Sequence, residues 1–499
     1  MDILSSLALG FATAFTLQNL LYCFLGCLLG TLVGVLPGIG PAATIAMLLP
    51  ATFTLPAAPA LIMMAGIYYG AQYGGSTTAI LVNLPGEASS VVTTIDGYQM
   101  SQQGRAGVAL ATAAIGSFVA GSVATLVLAL FAPPLAEMSL EFRAPDYFSL
   151  MVLGLIGSVI LARGSFIKAL AMIVFGLLVG LVGTDVNAPV RRFTFEIPEL
   201  FDGIGIVPVA MGIFGLGEII LNLQHQESRA KVIGTITKLM PSREDLGRMA
   251  APILRGSALG SFLGILPGGG ALLASFAAYA LEKKVARDPS RFGRGAIEGV
   301  AAPEAANNAG AQTSFIPLLT LGLPSNAIMA LMAGAMMIQG VQPGPGVMKS
   351  QPALFWGLIA SMWIGNLMLL ILNLPLVGLW ARLVRVPYDV LYPAIMVFCA
   401  IGVYSLSGSL VDLYLMIGFG ALGYLFAKLG CDPAPFLLGM ILGPFMEEYL
   451  RRAMLLSRGD PMVFVERPIS ATLLGLTAVA VLFILSPTFR ARRDQALKE

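Results

Sequence analysis

Glu304 stands in an otherwise uncharged stretch, Pro303-Glu304-Ala305-Ala306-Asn307-Asn308-Ala309, with Thr313 a little further on. A carboxylate beside two amides can bind a cation such as Na⁺, move a proton, or cap a helix N-terminus. Glu304, Asn307, Asn308 and Thr313 are therefore the candidate coupling-ion residues. A second set suits an anion. Proline and glycine cluster at residues 36–41, 83–87, 266–270 and 322–326. Proline removes a backbone donor and clashes with the preceding turn, so each cluster should break a helix. Broken helices leave amides whose partial positive charge attracts anions. Short hydroxyl and amide side chains nearby can bond a carboxylate without a buried Lys or Arg. The candidate substrate residues are Gly38, Gly40, Gly268 and Gly269 in one pair of breaks. Pro85, Gly86, Ser89, Pro324, Ser325 and Asn326 belong to the other pair, with Ser76 and Thr77 upstream. Released carbonyls at the same breaks could coordinate Na⁺. The plainer alternatives stay open: a break can be a simple kink, and a Ser or Thr can bond back to its own helix. Glu218 lies near the end of an apolar run, within reach of the interface. Asp96, in Ile95-Asp96-Gly97-Tyr98, is read as capping or closing a turn.

These groups need a scaffold, and composition says which kind. Of 499 residues 57% are hydrophobic and 11% charged, against about 25% charged in soluble domains. Apolar runs long enough to cross a bilayer, about 20 residues each, recur from residue 17 to residue 485. The expected fold is an all-α polytopic membrane protein with roughly ten to fourteen membrane segments, in contact with lipid. The N-terminus lacks a basic region, so its apolar start reads as the approach to the first span.

Other chemistries find little support. No lysine follows a glycine, which removes a Walker A motif. One histidine, His225, and four scattered cysteines cannot build a zinc site, and no Ser-His arrangement suggests a protease. No catalytic residue, metal site or cofactor is expected. A net charge of +2 gives no ground for nucleic-acid binding.

Lysine and arginine are absent before Arg105, then six fall at 229–255 and five at 283–294. The positive-inside rule puts both stretches in the cytoplasm. The division follows: residues 1–223 as a first membrane half, 224–250 as a basic cytoplasmic loop, and 251–499 as a second half with C-terminal helices. Between Arg451 and Lys498 two basic stretches flank a single apolar run, and charge assigns no topology there. The halves are related. Residues 30–40 and 260–270 share six of eleven positions at a constant shift of 230. Gly70-Ala71-Gln72 pairs with Gly310-Ala311-Gln312, and Leu84-Pro85 with Leu323-Pro324. Only the second Pro-Gly segment is flanked by positive charge, so inverted repeats are expected, with a parallel duplication as the other arrangement.

At these motifs the chain resembles the large membrane subunit of tripartite tricarboxylate transporters, the TctA family. The motifs are residues 34–41, Ile95-Asp96-Gly97-Tyr98, residues 303–309 and residues 316–324, in order and over nearly the entire chain. The resemblance implies a cation-driven carboxylate importer, Na⁺- or H⁺-coupled, in the bacterial inner membrane. It also implies a small membrane subunit and a periplasmic solute-binding protein. The chain departs from the family pattern at Ser325 and Asn326, where small glycine-like residues are expected. An anion-conducting channel without ion coupling is the competing function, and a membrane-embedded enzyme or scaffold the third.

Overall fold

The computed structural model describes residues 3–36, 40–161, 165–185, 188, 190–223, 239–266, 270–383 and 388–485. The first half holds α1 (Ile3–Ala14), α2 (Leu17–Gly34), α3 (Pro41–Leu48), α4 (Ala57–Val82), α5 (Val91–Gln102) and α6 (Ala106–Ser139). Next come α7 (Ala144–Leu161), α8 (Phe166–Gly180), the small antiparallel ribbon β1 (Gly183–Thr184) and β2 (Arg191–Arg192), α9 (Ile206–Ala210) and α10 (Gly217–Leu223). The second half holds α11 (Arg243–Gly264), α12 (Gly270–Val285), α13 (Glu298–Thr313), α14 (Phe315–Leu321), α15 (Ala327–Ile338), α16 (Gly346–Ser350) and α17 (Pro352–Asn373). The chain closes with α18 (Val377–Leu383), α19 (Tyr388–Ser407), α20 (Leu410–Lys428), α21 (Pro433–Leu456), α22 (Val463–Glu466) and α23 (Pro468–Leu485).

The expected α-helical fold is what forms, with a single ribbon of two-residue β-strands among the described residues. Among the described residues α2, α6, α17 and α20 are long and apolar enough to cross a membrane, and shorter apolar helices accompany them. With its composition, this makes the chain a multi-pass membrane protein. The helices are short in part because the Pro-Gly clusters cut them.

One packing unit occurs in both halves. A methyl group added at Gly26, Gly30 or Gly34 of α2 would collide with the carbonyls of Met63, Ile67 and Ala71 of α4. In the same way Gly256, Gly260 and Gly264 of α11 press on Ala302, Ala306 and Gly310 of α13. Small residues every fourth position let two helix backbones touch. Both sets ascend together, so each pair runs parallel. A parallel pair requires the intervening segment, α3 or α12, to bring the chain back first. Gly260→Ala is expected to lower the thermal midpoint in detergent or to prevent a monodisperse peak, because packed backbone cannot yield as a side chain does. Overpacking costs about 1–3 kcal/mol even among side chains. Gly418→Ala on α20, where nothing lies within 4 Å, should be neutral or slightly stabilising, since alanine is the better helix former.

Each half breaks where its proline clusters predict. α2 stops at Gly34 and α3 starts at Pro41; α11 stops at Gly264 and α12 starts at Gly270. Pro37, Gly38, Pro267, Gly268 and Gly269 themselves lie outside the described residues. At the other pair, Asn83 (φ 58°) ends α4 and Gly322 (φ 72°) ends α14, both left-handed. Asn and Gly tolerate that conformation, and the proline two residues on prevents helix from resuming. The contacts register Ala71 with Gly310, a shift that also matches Leu84 with Leu323. The identity match of Gly70 with Gly310 is therefore one residue out.

One further expectation changes. α11 already begins at Arg243, capped by Ser242, whose hydroxyl accepts from the Asp245 amide at 3.1 Å. The central loop therefore ends before residue 250; residues 224–238, with His225, and the Glu218 side chain lie outside the described residues. The C-terminal arginines are ion-paired: Arg451 with Asp185 (3.0 Å) and Glu447 (2.6 Å), and Arg467 with Asp146 (2.7 Å).

Candidate functional site

The α2–α4 and α11–α13 units meet along α4 and α13, and the polar residues gather there. Glu304 is 1% exposed. Its Oε2 accepts from Ser76 Oγ on α4 at 2.7 Å, and its Oε1 accepts from Thr93 Oγ1 on α5. One turn along α13, Asn307 Nδ2 donates to Glu87 Oε1 at 2.8 Å, and Gln72 Nε2 donates to Asn307 Oδ1 at 3.4 Å. The contacts Ser76–Glu304 and Gln72–Asn307 run in opposite order, so α4 and α13 are antiparallel. Among the described residues no Lys or Arg pairs with Glu304 or Glu87. Two carboxylates held by neutral donors, Glu304 by Ser76 and Thr93 and Glu87 by Asn307, can take up a proton or hold a cation.

The remaining candidates divide. Asn308 turns towards α6, where its Nδ2 donates to Ser117 Oγ at 2.6 Å and to Glu304 O at 3.1 Å. Thr313 lies nine residues beyond Glu304, about 13 Å along the helix, and its hydroxyl bonds back to Ala309 O at 3.0 Å. It packs against Gly264 at the second break, not with Glu304. Ser76, grouped by sequence with the anion site, is a ligand of Glu304. Thr77 bonds back to Tyr73 O at 3.2 Å.

Each half's two breaks pack together. Gly86 donates to Gly75 O at 3.4 Å and lies against Gly34 and Thr78, with Gly40 beside it; only glycine fits there. Ser89, in the turn after Pro85, is buried. In the second half Ser314 Oγ reaches Gly264 O at 3.2 Å, and Asn326 Nδ2 reaches Ser314 Oγ at 3.3 Å. Asn326 is also the N-cap of α15, with its Oδ1 accepting from Met329 N at 2.9 Å. That amide, expected to be free for an anion, is taken. Ser325, next to Pro324, is 1% exposed, and its hydroxyl has no partner among the described residues. Asn307 and Ser314 are seven residues apart, two turns and about 10 Å. Glu87 and Asn326 thus sit along one side of the same helical path.

Asp96 does close a turn, though one far away in sequence. Its Oδ1 accepts from the amides of Gly293, Gly295 and Ala296 at 2.8–2.9 Å, and its Oδ2 from Tyr279 Oη at 2.9 Å. The loop that starts α13 is thereby fixed to α5, one turn from Thr93. Arg105 adds an ion pair to Asp245 at 2.6 Å. Burial alone would raise the Asp245 carboxyl, but hydrogen bonds from Arg105 and Ser242 outweigh it and hold it below the usual aspartate value.

Several site residues escaped the sequence reading: Thr93, Ser117, Glu87 and Gln72. So did a second buried cluster, in which Thr125 Oγ1 donates to Gln312 Oε1, near Asn366. A polar residue within an apolar run was the available signal for Ser117, Thr125 and Asn366. Glu87 sat in plain view inside a break.

Over 499 residues the chain is 60% identical to an uncharacterized 52.8 kDa protein from the TAR-I ttuC' 3'region of Agrobacterium vitis, covering 100% of this chain and 99% of the relative. An uncharacterized protein from the TAR-II ttuC' 3'region of the same organism is 60% identical over 240 residues, 48% of this chain and 99% of the relative. No solved structure matches. Residues 20–438, from α2 into α21, match the tripartite tricarboxylate transporter TctA family. That span takes in both glycine-packed units, all four breaks and Glu304, and the chain belongs to this family of transporters.

Proposed function

We propose that the chain is the permease of a binding-protein-dependent secondary transporter. It imports carboxylate anions, citrate-like tri- or dicarboxylates, across the bacterial inner membrane on a cation gradient. The observation that carries this reading is the Glu304 site. A buried carboxylate held by Ser76 and Thr93, with Glu87 on the neighbouring Asn307 and no basic partner among the described residues, suits a coupling cation. The anion sits between the Leu-Pro breaks, near Gly86, Ser89 and Ser325, where backbone turns supply polarity without a buried base. The halves act as inverted repeats; the antiparallel course of α4 and α13, each parallel to its own glycine-packed partner, supports this.

Family membership supports two partners, a small membrane subunit and a periplasmic solute-binding protein that delivers the substrate. The test is uptake of labelled citrate and other carboxylates into proteoliposomes holding both membrane subunits. Uptake should be near background until the loaded binding protein is added outside. Strong saturable uptake by this subunit alone would count decisively against a tripartite system.

A further inference from the structure

Beside the Glu304 site lies a small cavity between α4, α6 and the end of α17, with room for about one water molecule or one small cation. Its polar lining is Tyr73, Ser76, Thr77, Ser117 and Asn373. All five side chains are at least nine-tenths buried. Two of them are left unsatisfied: neither the Tyr73 hydroxyl nor Asn373 Oδ1 has a partner among the described residues. Asn373 Nδ2 is engaged, donating to Leu369 O at 2.9 Å, so the unpaired end of this amide is its oxygen. A buried oxygen without a donor costs about 1–3 kcal/mol, and two around one small cavity call for a shared ligand. That lining is rich in oxygen and carries no charge. A charge stands close by, on Glu304, which shares Ser76 with the cavity.

We propose that this cavity is a Na⁺ site, with Tyr73 Oη and Asn373 Oδ1 as its defining ligands. The hydroxyls of Ser76, Thr77 and Ser117 complete it, and Glu304 supplies the charge through Ser76. The proposal rests on the reading of Glu304 as the coupling carboxylate, and adds where the ion is held and by which side chains. Ser76 touches both groups, so ion occupancy and the Glu304 hydrogen bonds are linked.

The test uses the purified complex with its small subunit, in detergent and in proteoliposomes. Na⁺, but not K⁺ at equal ionic strength, should raise the wild-type thermal midpoint. Tyr73→Phe removes only the unpartnered hydroxyl and leaves packing intact. It should raise the half-saturating Na⁺ concentration about tenfold, both in stabilisation and in uptake, as for a ligand worth about 1.4 kcal/mol. Asn373→Leu should do the same, while Asn373→Asp keeps the oxygen and should keep or tighten Na⁺ binding. Carboxylate affinity at saturating Na⁺ should be unchanged in all three. Equal stabilisation by Na⁺ and K⁺, or an unshifted Na⁺ dependence in Tyr73→Phe, overturns the site and leaves the cavity to a water. Proton-driven carboxylate uptake without a Na⁺ effect removes the site but spares the transport function. Na⁺ stabilisation lost in Tyr73→Phe, in a protein that moves no carboxylate, spares the site and removes the function.

Discussion

Glu304→Gln is expected to abolish cation-coupled uptake while leaving the protein folded. The amide is nearly isosteric, and hydroxyls can rotate. One of Ser76 and Thr93 can keep donating to the remaining oxygen, and the other can turn to accept from the new NH₂ group. What disappears is the full charge that those hydroxyls face. Losing about 3 kcal/mol of cation binding lowers affinity about a hundredfold, enough to uncouple transport at ordinary ion concentrations. Glu304→Ala should behave differently, because both hydroxyls lose their acceptor at a cost of about 1–3 kcal/mol each. It should fail as a folding defect before it fails as a transporter. Thermal midpoints in detergent separate the two cases. A Glu304→Gln protein that accumulates substrate with wild-type cation dependence removes Glu304 from the coupling site.

The second large effect is expected at Ser325→Asp. Ser325 is buried beside Pro324 and its hydroxyl has no partner among the described residues. An aspartate there places negative charge beside the proposed carboxylate site. One kcal/mol of repulsion lowers affinity about fivefold, and a desolvated like charge should cost several times that. The change should appear in KM for substrate more than in thermal stability of the correctly inserted protein. Asn326→Ala supplies the contrast. Because Asn326 caps α15, its loss should cost about 1 kcal/mol of stability and alter substrate affinity less. If Ser325→Asp carries substrate with unchanged KM and rate, the anion does not sit there. The Leu-Pro breaks then serve hinging or the coupling ion.

The sequence made some of this legible and hid the rest for definable reasons. Proline and glycine act on their own backbone, so the breaks near residues 37, 85, 267 and 324 could be located without tertiary information. Glu304 stood out because a carboxylate in an apolar run has few structural uses. Its partners did not stand out. Helices such as α4 and α6 are apolar nearly all round, so no amphipathic stripe tells which face meets which neighbour. Thr93 and Ser117 are ordinary residues until the helix rotation that aims them at α13 is known. Asp96 reads as closing a turn, but the turn it closes is two hundred residues away in sequence. Asn326 shows the reverse failure: a polar group beside a break looked like a ligand and is occupied in capping its own helix. Thr313 likewise bonds within α13.

The most direct test of the central claim, a cation-coupled carboxylate importer, is concentrative uptake. Both membrane subunits are reconstituted into proteoliposomes, the loaded binding protein is supplied outside, and an inward Na⁺ or proton gradient is imposed. The account predicts that labelled carboxylate rises above its outside concentration only while the gradient lasts, and that Glu304→Gln loses this accumulation. Flux that merely equilibrates the two sides, indifferent to either gradient and to Glu304→Gln, would contradict it and identify an anion channel instead.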